Sequence, residues 1–492
     1  MKLVHSLLAA AIAAASPVVG AATFTVTNLN DSGVGSLRDA LAQANAMAGA
    51  DTVQFQAGLA GTLTLTSGEL AIADSTTVSG PGAHRVTIDA NNAGRAFHLT
   101  NPGSEDRVYA ISGLTVTNAF INSGNDDSGA GLFYEASSIH ADITLSNMAF
   151  TGNTAGRKGG AVSVSGANLT LRNVAMTDNH AAGGFQPSGG ALAFDRGLVR
   201  IERSRIVDNT AELNGGGIRL SSPGVNAVIT DTLIQGNEAT HTGGGMIADT
   251  MTSLTITRSA FVGNTTGQPY GGGLYFAGVT DAASPENVIE NTTFSDNASL
   301  HQSGRGSALA IWQGNMTVRN STFADNKTAP GLSPGENSGG ALWLNGGATT
   351  KLGLQSTLFV GNTHGDADLK IDLSRNIASS GTQSLIDADH SSFEATPAIG
   401  VISGSNNANL FEIDPLLQPL TLEMGGITPV HPLPENSPVL EHGANPASLT
   451  TDQRGPGYPR AASATGNGPG VTDIGAFEFR VDRIFFGDFE QH

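Results

Sequence analysis

The chain contains no cysteine, so disulfide staples, thiolate catalysis and zinc–thiolate sites are all closed to it. Aromatic residues make up only 5% of its 492 residues, too few for one large globular core. Positive charge is scarce too: 24 Lys and Arg against 43 Asp and Glu leave a net charge of −19, which repels phosphate backbones and excludes nucleic acid as a partner. After the first residues no stretch is long and apolar enough to cross a membrane as a helix, so no transmembrane segment is expected. What the chain has in quantity is glycine, 64 residues of it, which suits many tight turns around a slim aliphatic core.

The first residues read as a secretory signal: Lys2 supplies the positive end, residues 7–15 the apolar centre and Gly20-Ala21-Ala22 the small-residue cleavage site. A signal peptide over residues 1–22 predicts a secreted protein, extracellular or at the outer cell surface. With no cysteine, its stability must come from packing and hydrogen-bond ladders.

An internal repeat organises most of the remaining chain. An apolar residue stands three places before an asparagine at Phe150/Asn153, Met176/Asn179, Ile206/Asn209, Ile234/Asn237, Phe261/Asn264, Phe294/Asn297, Phe323/Asn326 and Phe359/Asn362. Successive asparagines lie 26, 30, 28, 27, 33, 29 and 36 residues apart, and glycine clusters such as Gly159-Gly160, Gly189-Gly190 and Gly339-Gly340 come after them. Five places before each apolar anchor runs a second column, Leu145, Leu171, Ile201, Ile229, Ile256, Ile289, Val318 and Leu354, and a third begins two places earlier, at Ile143. Period two between these columns means strand, and each repeat yields about three short strands separated by turns.

One such repeat cannot bury its own apolar face. Stacking coil on coil at about 4.8 Å turns each column into a continuous ladder, which predicts an all-β, right-handed parallel β-helix of about eight recognisable coils. A leucine-rich repeat would need a leucine-dense consensus and a helix, and a propeller about four antiparallel strands per longer repeat. Where Asp178, Asp208, Asp296 and Asp325 precede their asparagines, other coils carry Gly152, Gly236, Gly263 and Gly361. Interchange of aspartate with glycine is the mark of a left-handed turn position, so these aspartates are expected to be structural.

The pair Phe-x-x-Asn and Gly-Gly-Ala-[Val/Leu], present at Phe150 to Asn153 with Gly159 to Val162 and again at Phe323 to Asn326 with Gly339 to Leu342, resembles the repeats of the polymorphic outer-membrane proteins, which are surface β-helix passengers. The ends are similar to exported bacterial β-helix proteins. Asn30-Asp31-Ser32-Gly33, Gly35-Ser36-Leu37-Arg38-Asp39-Ala40-Leu41 and Asp51-Thr52-Val53-Gln54-Phe55 resemble an N-terminal cap, with a short amphipathic helix over residues 39–48. Asp414-Pro415-Leu416-Leu417, Gly425-Gly426-Ile427-Thr428-Pro429, Asn436-Ser437-Pro438, Asp452-Gln453-Arg454-Gly455 and Asp473-Ile474-Gly475-Ala476-Phe477-Glu478 resemble a choice-of-anchor domain, read as a non-solenoidal wrap over the last coil. The chain thus divides into a signal peptide (1–22), a cap with the first coils (23–100), β-helix repeats (101–408), a choice-of-anchor-like module (409–479) and a tail (480–492).

Pectate-lyase-like solenoids include polysaccharide lyases and glycoside hydrolases, so catalysis has to be sought residue by residue. Asp366, Asp368 and Asp372 have spacing that suits calcium, but turn capping is the preferred reading. His241 and His301 are separated by a coil, about 10 Å, and cannot share a metal. No catalytic residue, metal or cofactor is assigned. The arginines Arg196, Arg200, Arg203, Arg205 and Arg219 crowd together in an otherwise acidic chain. Arg200, Arg203 and Arg205 are the candidate ligand-binding residues, for the carboxylates of a polysaccharide or other cell-surface ligand, against the plainer reading of ion pairing with Glu202, Asp208 and Glu212. A charge stack of Arg203, Asp231 and Arg258 is expected at one corner of adjacent coils. The leading expectation is a monomeric, non-catalytic, adhesin-like surface protein presenting loops at residues 183–188, 281–287 and 329–338; the alternative is a carbohydrate-active enzyme.

Overall fold

The computed structural model describes residues 20–480, apart from residues 102, 104, 123, 125–126, 280–285, 331–338, 346–349, 366–368, 376–384, 398–400 and 462–469. The signal peptide therefore lies almost wholly outside the described residues, as do most of the two later loops and the tail.

The described chain is a right-handed parallel β-helix of about 11 turns. One coil shows how the sequence produces it. Ala141–Ser146 forms the first strand, and it points Ile143 and Leu145 inward and Asp142 and Thr144 outward. Asn147 turns the corner in the left-handed region at φ 52°, and Ala149–Thr151 comes next with Phe150 buried. Gly152 and Asn153 make the second corner and lead into a two-residue strand, Thr154–Ala155; after Gly159-Gly160 the strand Val162–Ser165 closes the turn. Four sheets result among the described residues, of 14, 13, 9 and 11 strands in the order a coil visits them, where the sequence pattern showed three. A two-residue strand is too short to display a period, which is why it was not visible.

The columns read from the sequence are the ladders of the structure. Phe150 pairs with Met176, Met176 with Ile206, and so on through Ile234, Phe261, Phe294, Phe323 and Phe359. The column extends further, to Leu63, Ile88 and Val116 before it and to Phe393 and Phe411 after it. Of these anchors only Ile88 has an asparagine three places on, and Asn91 is exposed and outside the buried column, so an alignment built on asparagine stops short of these coils. Phe261, Phe294, Phe323 and Phe359 stack with centroids 4.8 Å apart at each step, which is the spacing of the strands that carry them.

Asn153 to Asn362 form a second, polar column inside the second corner, each 0–1% exposed. Each Nδ2 donates to the Oδ1 of the asparagine in the next coil, at 2.9–3.0 Å throughout. It also donates to the carbonyl of the apolar anchor one coil back, as Asn264 does to Ile234, while each Oδ1 accepts the preceding asparagine's backbone N–H. The preceding residue is left-handed in every coil, as Asp178, Asp208, Asp296 and Asp325 are at φ 54–58° and Gly152, Gly236, Gly263 and Gly361 at φ 60–65°. The second glycine of each pair serves a different purpose: a Cβ on Gly190 or Gly216 would meet a carbonyl oxygen of the neighbouring coil at 2.2 or 2.3 Å.

At the start, the helix is Leu37–Ala46, two residues earlier than expected because Ser36 caps it by accepting the Asp39 N–H. It buries Leu37, Ala40, Leu41 and Ala44 over the first coils. The other end departs more. After Leu410–Phe411 the described chain forms no further strand and adds no coil. Instead it runs back along the outer face of the second sheet, where Thr428 bonds the Arg258 carbonyl, Gln453 accepts from Thr293, and Ala476 donates to Thr322. The outward residues there, Leu233, Ala260, Ala324 and Leu358, are apolar and buried, and covering them decides the path. Leu358 joins Val430, Leu433, Val439, Ile474 and Phe477 in a second small core.

Two substitutions test this register. Phe294→Ala removes an aromatic ring with stacked neighbours on both sides and should cost about 3–5 kcal/mol. Asn264→Ala leaves the Asn237 backbone N–H and Nδ2 without their acceptor in a dry interior, about 1–3 kcal/mol for each orphaned donor. In a solenoid the loss is local, so hydrogen-exchange protection in the coils around residues 234–297 should fall while the coils near residue 100 keep theirs; equal loss along the whole chain would contradict the assignment.

Candidate functional site

Arg200, Arg203 and Arg205 belong to one coil and wrap its first corner. Val199 and Ile201 point inward from the strand Gly197–Glu202, so Arg200 between them points out. Arg203 is the left-handed corner residue at φ 49°, held by Ser204, whose buried hydroxyl accepts the Val174 N–H. Arg205 opens the strand Arg205–Val207 with Ile206 inward. All three are exposed. The ladder neighbours of Arg200 and Arg205 offer no acid: Thr170 and Val228 flank Arg200, and Ala175 and Leu233 flank Arg205.

The acids expected to neutralise them are engaged elsewhere or make no pair with them. Glu202 pairs with Arg172 at 3.0 Å, and Glu212 accepts the Gly183 N–H at 2.7 Å. The expected stack of Arg203, Asp231 and Arg258 forms only in its upper half. Asp231 gives both oxygens to Arg258, at 2.8 and 2.9 Å, and this two-pronged pair leaves Arg203 without the carboxylate. Arg219 and Arg196 are also separate from the three. Arg219 pairs with Asp195, which also takes Lys158, and Arg196 donates to the carbonyls of Ala136 and Ser137. Among the described arginine side chains only Arg85, Arg200, Arg203 and Arg205 have no hydrogen bond, ion pair or ring contact, and three of these four lie within six residues.

Of the calcium candidates, Asp366 and Asp368 lie outside the described residues. Asp372 is buried and ends the asparagine column, accepting Asn362 Nδ2 at 3.0 Å and the Ala395 N–H at 2.9 Å. Among the described residues no group of three His, Asp or Glu is placed to hold a metal ion. A serine–histidine contact does occur: His431 Nδ1 donates to the Gln418 carbonyl at 2.8 Å, and Nε2 stands 3.0 Å from Ser295 Oγ. Ser295 has no exposed surface, so no substrate can reach it, and the contact fastens the C-terminal segment to the second sheet.

Sequence reading passed over one cluster. Tyr270, Tyr275, Trp312, Trp343 and Arg305 gather on the outside of the fourth sheet, with Tyr270 centroids 5.4 Å from Trp312 and 5.3 Å from Trp343. The available signal was that Trp343 takes the outward place in the alternating run Ala341-Leu342-Trp343-Leu344. The first loop, residues 183–188, exposes Phe185 beneath the Arg157 guanidinium.

The comparisons agree with this geometry where they reach. A model of the right-handed beta helix region matches residues 188–363, which include the arginine corner and most of the asparagine column. A model of the Chlamydia polymorphic membrane protein repeat matches residues 147–165, the coil that carries Phe150, Asn153 and Gly159-Gly160. No curated protein matches the chain.

Asp372 gives the end of the asparagine column a pH dependence. Burial pushes its carboxyl up from 3.8 to about 6, against the lowering effect of its two hydrogen bonds. Between those values the folded chain holds a proton that the unfolded chain has released. Stability is therefore greatest below the unfolded value and falls as pH rises through the window, by about 3 kcal/mol in all. Protection of residues 358–364 should drop between about pH 4 and about pH 7 in the parent, and drop less in Asp372→Asn, which cannot titrate.

Proposed function

We propose that this chain is an exported, surface-displayed β-helix protein that binds acidic carbohydrate through Arg200, Arg203 and Arg205 and does not process it. The observation that carries this reading is the set of three exposed, unpartnered guanidiniums around one corner of a chain with net charge −19. Guanidinium forks match carboxylates in geometry and charge, and three of them exposed within six residues concentrate positive charge in an otherwise acidic chain. Export rests on the leader at residues 1–22, and surface display on the membrane-protein repeat at residues 147–165. Among the described residues no helix is long and apolar enough to cross a membrane. The serine–histidine contact of Ser295 and His431 is closed to substrate, which favours binding over turnover.

The mature chain is expected to retain polygalacturonate and alginate on an affinity gel at low salt and to release them as ionic strength rises. Replacing Arg200, Arg203 and Arg205 together by alanine should weaken retention by at least about tenfold, the loss of one charge-assisted contact or more. Release of reducing ends or unsaturated products by the parent, abolished in Arg203→Ala, would replace this reading with an enzymatic one.

A further inference from the structure

Both tryptophans of the chain and two of its five tyrosines lie outside the solenoid in one patch, although the interior is where a β-helix normally uses large apolar rings. The strands Leu274–Gly278, Leu309–Gln313 and Leu342–Leu344 point Leu274, Phe276, Leu309, Ile311, Leu342 and Leu344 inward, all buried. The rings face the other way. In the same outward column, earlier coils carry Ser163, Ala193 and Arg219.

Two features show that the patch is built and not incidental. Trp312 is the extra residue of a bulge: Phe276 pairs with Ile311 and Ala277 with Gln313, so Trp312 has no partner in that ladder and is turned outward. A second bulge lies two coils back, where Thr250 at φ 56° falls between Asp249 and Met251. The rings beneath Trp312 are then fixed in place. Arg305 donates to the Tyr270 hydroxyl at 2.7 Å, and its guanidinium stands 5.4 Å from the Tyr270 centroid and 5.3 Å from that of Trp343. Trp343 has no exposed surface, and its Nε1 is a buried donor with no partner. Trp312 keeps 38% of its surface exposed, against Tyr270 at 84° and Trp343 at 40°.

We propose that Trp312, seated on Tyr270 and Trp343, is the stacking platform of a second binding site, which takes a neutral hexopyranose unit of a glycan. The apolar C–H face of such a ring matches an exposed, immobilised indole. Its hydroxyls match the polar groups around Tyr270, which are the Arg305 guanidinium and the Tyr275 hydroxyl with the Asp249 carboxylate beyond it, mixed in sign and so not selective for a charged ligand. The site lies on a different sheet from the arginine corner and does not depend on it.

Because the chain has no other tryptophan, indole emission reports on this patch alone. Titrating the mature protein with cellohexaose, mannohexaose and chitohexaose in turn should give a saturable emission change with at least one of them. That response should persist in about 0.5 M NaCl, where binding at the arginine corner is screened. Trp312→Ala retains Trp343 as reporter and should weaken the response at least about tenfold, whereas Trp312→Phe should stay within about threefold of the parent. The Arg200, Arg203 and Arg205 triple variant should respond as the parent does, so failure of the acidic-ligand reading would leave this result untouched. No emission change with any of the three sugars, or a change that survives Trp312→Ala, would overturn the proposal and assign the patch to stapling the outer loops.

Discussion

The asparagine column is the constraint on which the rest of the molecule depends. Each amide is fully committed, with one donor to the next coil, one to the anchor carbonyl behind and an oxygen that accepts two bonds from the preceding coil. In a dry corner such a chain of amides is both satisfied and mutually polarised, and any coil that slipped would orphan several groups at once. That is why coils of 26 to 36 residues can be superposed on one another: the extra residues are placed in loops, and the corner does not move. The left-handed residue before each asparagine and the aromatic ring three places back are consequences of the same fixed corner. The column ends without a loose amide because Asp372 accepts the last Nδ2.

With the inside fixed in this way, the coils differ from one another chiefly outside. Along the second sheet the outward residue changes from Arg205, exposed, to Leu233, Ala260, Thr293, Thr322 and Leu358, all buried under the C-terminal segment. That segment holds itself together by the motifs that stood out in its sequence. Arg454 lies between the rings of Tyr458 and Phe477 and pairs with Asp452, whose carboxylate also accepts the Glu478 N–H. Arg460, wholly buried, donates to the carbonyls of Ala476 and Asp473. These residues hold the segment together as a clasp. The arginine corner begins where the cover ends.

The interior of this fold was legible because its information is one-dimensional. A column such as Leu145, Leu171 and Ile201 repeats the same environment in every coil, so spacing alone fixes register, and the Gly/Asp alternation before the asparagines identified a backbone conformation correctly. The exterior obeys no such rule. Whether Asp231 turns to Arg203 or Arg258 depends on rotamers of side chains 27 or 28 residues away, and both choices satisfy the same pattern. Trp312 was hidden for a different reason: a bulge breaks period two at the very residue that matters. The path of the C-terminal segment was illegible because it is dictated by apolar residues on the outside of strands several coils away, which look in sequence like ordinary interruptions of polarity.

This separation between a fixed interior and a free exterior bears on how the candidate sites should be weighed. Outward positions in a solenoid carry little of its stability, so nothing in the fold requires arginine at positions 200, 203 and 205 or a ring at 312. Elsewhere in the chain the described arginines are nearly all used to fasten coils or loops, as Arg172 is to Glu202, Arg258 to Asp231 and Arg319 to Glu290. A guanidinium that fastens nothing, placed three times over in one coil, is therefore not accounted for by the architecture. The same holds for an indole lifted out of register by a bulge and supported from below by two other rings. In a molecule whose stability is provided by one buried polar column and the apolar ladders beside it, groups that add nothing to either are the ones on which a test of binding should fall.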